Sequence, residues 1–254
     1  MHAQTLDKRV MKRFIMVSLF AMLAFVASSQ NVAPATSGTT EQIVSIPKTD
    51  WLQSFHSVKI DGPMNVVLKR VDSADGTKIT YDTKGNITSK FKFELDKNGV
   101  LTVSERVDPK RISVTDVIIY YHSLKEVKVA RATAEFEHEI ESKMFDLLVS
   151  SGAIVSLSLK SLDVAVECTG SSRLTLKGDT KYLTMRASTA KIDASNFSTV
   201  SATVDVSHSA EVRMVVSERL ECTTSTGAKL LYKGAPTILR DHSMIFGGDI
   251  INVN

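Results

Sequence analysis

The chain has 254 residues, 43% of them hydrophobic and only 6% aromatic, with 31 Lys and Arg against 28 Asp and Glu. Residues 1–29 hold Lys8, Arg9, Lys12 and Arg13 but only Asp7 on the acidic side, so 27 charges of each sign remain beyond them. That even balance gives no electrostatic reason to expect nucleic acid or an acidic membrane surface as partner.

In chain order, the basic cluster Lys8 to Arg13 leads into an apolar run from Phe14 to Ala27, broken by Ser18, and then into the small residues Ala27-Ser28-Ser29. The run is short of the roughly 20 apolar residues that a membrane-spanning helix needs. These three parts make a cleaved secretory signal over residues 1–29, with the cut before Gln30. Met11-Lys12-Arg13 would by itself open such a signal. No cysteine borders the cut, so a lipoprotein anchor is not expected, and no later run is long enough for an integral membrane segment. The remainder is expected in the periplasm, at the cell surface or outside the cell. Residues 30–50, rich in Ser, Thr, Ala, Gln and Pro, read as a flexible linker.

From Trp51 onward, apolar and polar residues alternate with the period of two that strands impose. Phe55-x-x-Val58-x-Ile60 runs to Asp61-Gly62-Pro63. Val66-x-Leu68, Ile79-x-Tyr81, Phe91-x-Phe93-x-Leu95 and Leu101-x-Val103 follow. Asp75-Gly76, Lys84-Gly85-Asn86 and Lys97-Asn98-Gly99 stand between them as tight turns, so this half reads as β-hairpins.

The second half repeats. A small residue precedes an apolar one by two positions at Ala134, Ala153, Ser172, Ala190, Ala210 and Ala228, with spacings of 19, 19, 18, 20 and 18. Each is preceded by another alternating stretch, such as Val164-x-Val166-x-Cys168 or Leu220-x-Cys222, and by a corner of small residues, such as Ser150-Ser151-Gly152. Two short strands and a small-residue corner in every 19 residues are what one coil of a parallel β-helix requires. An antiparallel sandwich has short strands too, but no reason to put one residue class at one phase of each repeat. The fold class predicted is all-β, with N-terminal hairpins leading into a short right-handed parallel β-solenoid over residues 51–254. Cys168 and Cys222 then lie nearly three coils apart, about 14 Å at the strand spacing, too far for a disulfide.

The search for chemistry yields no nucleophile elbow, phosphate loop, dinucleotide fingerprint or zinc-protease motif. His138-Glu139 lacks a second histidine, and His56, His122, His208 and His242 are scattered. The carboxylates of the repeats are Asp163, Glu167, Asp179, Asp193, Asp205, Glu211 and Glu221. They fall at differing phases and interleave with Lys177, Lys191, Arg213 and Lys229, the pattern of a solvated exterior. A paired-carboxylate glycosidase site is the enzymatic alternative. Trp51 reads as a cap over the first coil, and Tyr120-Tyr121 as divided between surface and core. No catalytic, cofactor-binding or metal-binding residue is assigned.

The domain resembles the bacterial DUF2807 family, described as an auto-transporter adhesin head or GIN domain and common in exported proteins of Bacteroidetes. Phe55-x-x-Val58-x-Ile60-x-Gly62-x-x-x-Val66-x-Leu68 is similar to its first strands. Val117-Ile118-Ile119-Tyr120 with Leu124-Lys125-Glu126-Val127-Lys128-Val129 is similar to its middle segment. Ser225-Thr226-Gly227-Ala228-Lys229-Leu230-Leu231-Tyr232-Lys233-Gly234-Ala235-Pro236 carries the most specific part. Ala130-Arg131-Ala132-Thr133-Ala134 departs from the family's Gly-Ser-Gly corner, and the proline before Leu124 is absent. The resemblance spans residues 51–248 and implies a β-helical fold, no catalytic residues and an adhesive or surface role. The expected function is an exported, non-enzymatic binding or structural module of the cell envelope. Its partner is expected to be a surface ligand, glycan or envelope protein, with self-association through the solenoid ends a further expectation. A carbohydrate-active β-helix enzyme and a periplasmic scaffold or sensor partner are the alternatives.

Overall fold

The structure is a computed structural model that describes residues 46–85, 90–243 and 247–254. The signal assigned to residues 1–29 and the linker as far as residue 45 lie outside the described residues. The described chain is almost entirely β, a solenoid of about 7 turns. Its first nine strands are β1 (Lys48–Trp51), β2 (Ser57–Asp61), β3 (Met64–Arg70), β4 (Lys78–Asp82), β5 (Phe91–Leu95), β6 (Val100–Glu105), β7 (Thr115–Tyr121), β8 (Glu126–Ala130) and β9 (Thr133–Phe136). Then come the long strands β10 (Ile140–Ser150), β11 (Ile154–Thr169), β12 (Arg173–Ser188), β13 (Lys191–Ser207) and β14 (Glu211–Thr224). The short strands β15 (Lys229–Lys233), β16 (Ile238–Asp241) and β17 (Asp249–Asn252) close the series.

Each long strand runs along one side of the solenoid, bends, and returns along the other. In β11, Val155, Leu157 and Leu159 face inward before the bend and Val164, Val166 and Cys168 after it. The inward phase changes across Leu162, which is exposed. At this bend a hydroxyl bonds the carbonyl two residues on: Ser142 Oγ donates to Met144 O (2.6 Å), Ser161 Oγ to Asp163 O (3.0 Å) and Thr180 Oγ1 to Tyr182 O (3.1 Å). Ser142, Ser161, Thr180 and Thr199 stand in register on successive coils. A short hydroxyl side chain can close such a local ring where the backbone turns.

The opposite edge is the small-residue corner. Ser151 and Gly152 have φ of 57° and 78°, Gly170 and Ser171 65° and 64°, and His208 and Ser209 52° and 59°. Two consecutive left-handed residues reverse the chain tightly, and small polar residues and glycine tolerate them best. Ala153, Ser172, Ala190, Ala210 and Ala228 follow, all buried and each with its carbonyl accepting from a backbone N–H of the next coil, as Ser172 O does from Lys191 N (2.9 Å) and Ala210 O from Lys229 N (2.8 Å). The irregular spacings have local causes. Thr189 alone is left-handed at its corner, which shortens that coil. An extra residue of β13 between Asp193 and Asn196 lengthens the next.

Stacking aligns like with like: Val155, Leu174, Ile192, Val212 and Leu230 form one inward column, and Leu147, Val166, Met185, Val204 and Cys222 another. Burial of each aliphatic side chain is worth about 1.5–3 kcal/mol against exposure, and both cysteines are buried as small hydrophobes, free and three coils apart.

The N-terminal half corrects the hairpin reading in part. Among its described residues only β5–β6 forms a hairpin, with Asp96 Oδ1 accepting from Asn98 N (2.8 Å) and Val100 N (2.9 Å) in the turn. Asp61-Gly62-Pro63 is instead a coil corner between β2 and β3. There a Cβ on Gly62, at φ 139°, would lie 2.2 Å from Glu105 O. Strand β2 pairs in parallel with both β6 and β8, and β3 with both β7 and β9. The β2–β3 coil is therefore sandwiched between the β6–β7 coil, which follows it after β4 and β5, and the later β8–β9 coil.

Antiparallel β5 covers the edge of β6, β4 that of β7, and β1 that of β4. Stacked Tyr81 and Phe91 (4.7 Å between centroids) pack under this cover. Strand β1, at Lys48–Trp51, includes the last residues of the segment read as linker. Trp51 does not cap the first coil: it lies 68% exposed on β1, with Lys78 Nζ 5.0 Å from its ring. Tyr121 is buried and Tyr120 half-buried. At the other end, Asp241 and Asn252 occupy the inward register of Cys222 and Tyr232 in strands of four residues, which blunts that edge.

Ala210 is fully buried between Ala190 and Ala228. Ala210→Asp is expected to destabilise the protein by at least about 3 kcal/mol, because the charge finds no partner in the column. The exposed control Thr203→Asp should leave the melting temperature nearly unchanged. Equal melting temperatures for the two variants would contradict the register.

Candidate binding face

The outward residues of one solenoid side form a broad sheet surface made by β8, the second halves of β10–β14, and β16. In register along the solenoid lie Glu126, Asp146, Ala165, Thr184, Thr203, Glu221 and Arg240; beside them run Lys128, Leu148, Glu167, Arg186, Asp205 and Thr223. Three consecutive short side chains, Ala165, Thr184 and Thr203, leave a trough between longer neighbours. The resulting groove has a volume of about 600 Å³ and runs across the strands.

Its charged groups are mostly engaged with one another. Lys128 Nζ lies 2.6 Å from Glu126 Oε1, and Arg186 Nε lies 3.9 Å from Asp205 Oδ2. Glu221 Oε1 accepts from Arg219 (2.5 Å) and Arg240 (2.8 Å). The Arg219 hydrogen bond, reinforced by Arg240, holds the Glu221 carboxyl below its ordinary pKa. Such exposed pairs contribute little to stability, but they fix side-chain directions along the groove.

The carboxylates of the repeats do not converge. Glu167, Asp205 and Glu221 line the groove. Asp163 and Asp179 stand near the bend, and Asp193 and Glu211 face the other side of the solenoid with Lys191 and Arg213. Glu167 and Asp205 are two strands apart with Arg186 in register between them, about 10 Å between Cα atoms. Asp193 is tied to the β13 bulge by hydrogen bonds from Ser195 Oγ (2.6 Å) and Ser195 N (3.1 Å), which lower its pKa. Every displaced carboxyl among the described residues, namely Glu137, Asp193, Glu221 and Asp241, is displaced downward. A general acid needs the opposite shift. His138 and Glu139 are exposed, and among the described residues no three His, Cys, Asp or Glu side chains gather where they could share a metal ion.

The groove floor was not legible as a site in the sequence. A signal existed, because Ala165, Thr184 and Thr203 recur at intervals of 19, but outward small residues at one phase look like any solvated strand until neighbouring coils are placed.

The cysteines stand behind this face. Burial pushes the Cys168 thiol up to about 12 and, with the nearby Asp241 charge, the Cys222 thiol up to about 11. Since the thiolate is the reacting species, neither should react with a thiol reagent in native protein at neutral pH. Both should react once the protein is unfolded without reductant. Rapid labelling of the native protein would contradict this placement.

A family profile described as "Putative auto-transporter adhesin, head GIN domain" (DUF2807) matches residues 54–236. No curated protein matches the sequence. Solved structures share the fold, among them the following three. A "putative adhesin" from Bacteroides fragilis has a TM-score of 0.75 at 17% identity, covering 82% of this chain and 97% of that one. A "putative adhesin" from Parabacteroides merdae has a TM-score of 0.65 at 15% identity, covering 83% and 96%. A "putative lipid binding protein" from Parabacteroides distasonis has a TM-score of 0.63 at 13% identity, covering 83% and 97%. The chain belongs to the DUF2807 family.

Proposed function

We propose that this DUF2807 protein is an exported, non-catalytic binding module of the bacterial cell envelope, and that it holds an extended surface ligand along the groove over Ala165, Thr184 and Thr203. The observation that carries this reading is the groove itself: a trough of about 600 Å³ on a sheet surface, in which Glu126, Asp205 and Glu221 are paired with Lys128, Arg186, and Arg219 and Arg240. A ligand lying along the solenoid axis meets one backbone step per coil, about 4.8 Å, with a polar group on either side at each step. A polymer of repeating units, such as a surface glycan, suits such a surface. The adhesin names of the family and of two structural neighbours support the same class. The three-part signal at residues 1–29 supports export.

The test is an array of glycans and envelope components, probed with the protein and with Thr184→Arg/Thr203→Arg, while product release is assayed on the same spots. The proposal expects saturable binding to one ligand class and no product. It also expects binding to weaken about tenfold or more in the double variant, since two bulky charges fill the trough. Product release would return the enzymatic reading. Undiminished binding by the variant would move the site off this face.

A further inference from the structure

We propose that the loop of residues 106–114, between β6 and β7, docks the outermost coil onto an anionic lipid surface. This contact is separate from the groove and does not depend on it. The loop shows three large aliphatic side chains to solvent, Val107 at 66%, Ile112 at 63% and Val114 at 43% exposure. Three such side chains within eight positions of one loop concentrate exposed apolar surface at one place.

The loop is held in shape by a buried ion pair. Glu105 is 5% exposed, and its Oε1 accepts from Thr115 Oγ1 at 2.7 Å. Arg111 Nη2 lies 3.4 Å from Glu105 Oε2, and Arg111 Nε donates to Ser113 O at 2.6 Å. Arg111 N also donates to Asp108 O at 3.0 Å. Burying a carboxylate and a guanidinium is expensive even when they are paired. Here the pair ties the end of β6 to the start of β7 across the loop, so that the aliphatic tips between them stay outside instead of collapsing onto the core.

The charges around those tips are basic. Arg106 and Lys110 are exposed within the loop, and Lys90 adjoins it, its carbonyl accepting from Arg106 N at 3.1 Å. The loop's own acid is Asp108, whose Oδ1 accepts from Lys110 N at 2.9 Å and so serves the turn. The even balance of charge over the chain beyond residue 29 thus hides a small local excess of positive charge in this loop, where Arg106 and Lys110 stand against Asp108. Aliphatic tips among ammonium and guanidinium groups fit a surface that yields around them while offering phosphates, as the headgroup region of an anionic bilayer does.

The experiment is co-sedimentation of the protein, isolated from expressing cells without further trimming, with vesicles of phosphatidylcholine alone or mixed with phosphatidylglycerol. Wild type should bind the mixed vesicles, less so at high salt. Val107→Asp/Ile112→Asp should lower the bound fraction about tenfold or more. Arg106→Glu/Lys110→Glu should remove the preference for phosphatidylglycerol. All variants share residues 1–45, so those residues cannot account for a difference, and unchanged melting temperatures will show that the fold is kept. Three outcomes would overturn the proposal: wild type remaining in solution with both vesicles, equal binding to both, or binding by Val107→Asp/Ile112→Asp equal to wild type. A requirement for a protein receptor would appear as the first of these.

Discussion

Everything in this protein depends on one requirement: each coil must present the next with backbone groups and side chains at the same phase. A strand edge left open costs hydrogen bonds, and an inward residue out of phase puts a polar group in the core or an apolar one outside. The requirement explains features that look unrelated in the sequence. Small residues recur at Ala153, Ser172, Ala190, Ala210 and Ala228 because each must pass its carbonyl to the next corner at strand spacing. Hydroxyls recur at Ser142, Ser161 and Thr180 because the bend turns a carbonyl that needs a local donor. Where the spacing departs from 19, a shorter corner at Thr189 and a bulge in β13 absorb the difference while the inward columns stay in register.

The same requirement shapes what the exterior can do. Outward side chains arrive in straight columns, so the depth of a surface feature is set by a few positions repeated on adjacent coils. Three short residues, Ala165, Thr184 and Thr203, are enough to make the groove. Charges arrive in columns as well, and register brings Arg186 between Glu167 and Asp205. Charges of opposite sign then stand side by side along a column, as Arg186 and Asp205 do. A regular wall of this kind suits binding along its length more than proton transfer at a point.

Much of the fold was legible because its signals are local or periodic. Alternation marks the strands, the interval near 19 marks the coil, and the distance between Cys168 and Cys222 excludes their disulfide. The order of the N-terminal coils was not legible. Whether β2 lies between β6 and β8 depends on pairings between residues as far apart as Val58 and Val127, which no window of sequence contains. The corner at Gly62 looked like a hairpin turn for that reason: its left-handed geometry serves either, and the close approach of Glu105 O decides between them. Trp51 misled in a similar way, since a large ring at a domain boundary reads as core unless the strand carrying it is known to be an outer edge. The Glu105–Arg111 pair was equally hidden, because two opposite charges six residues apart are ordinary on a surface, and only the burial of Glu105 makes them a lock.

The most direct test of the stacking account is the removal of one whole coil. Deleting residues 173–190 joins Ser172 to Lys191 and brings Ile154 opposite Lys191, the residue that follows Arg173 in the same column. Every inward position then meets another of its kind. Deleting residues 173–181 removes about half a coil and puts the two sides of the solenoid out of phase. The account predicts that the first protein keeps a β-type circular dichroism spectrum and melts cooperatively at a somewhat lower temperature, while the second does not fold. Loss of the fold in both, or its retention in both, would contradict the claim that coil register holds this protein together.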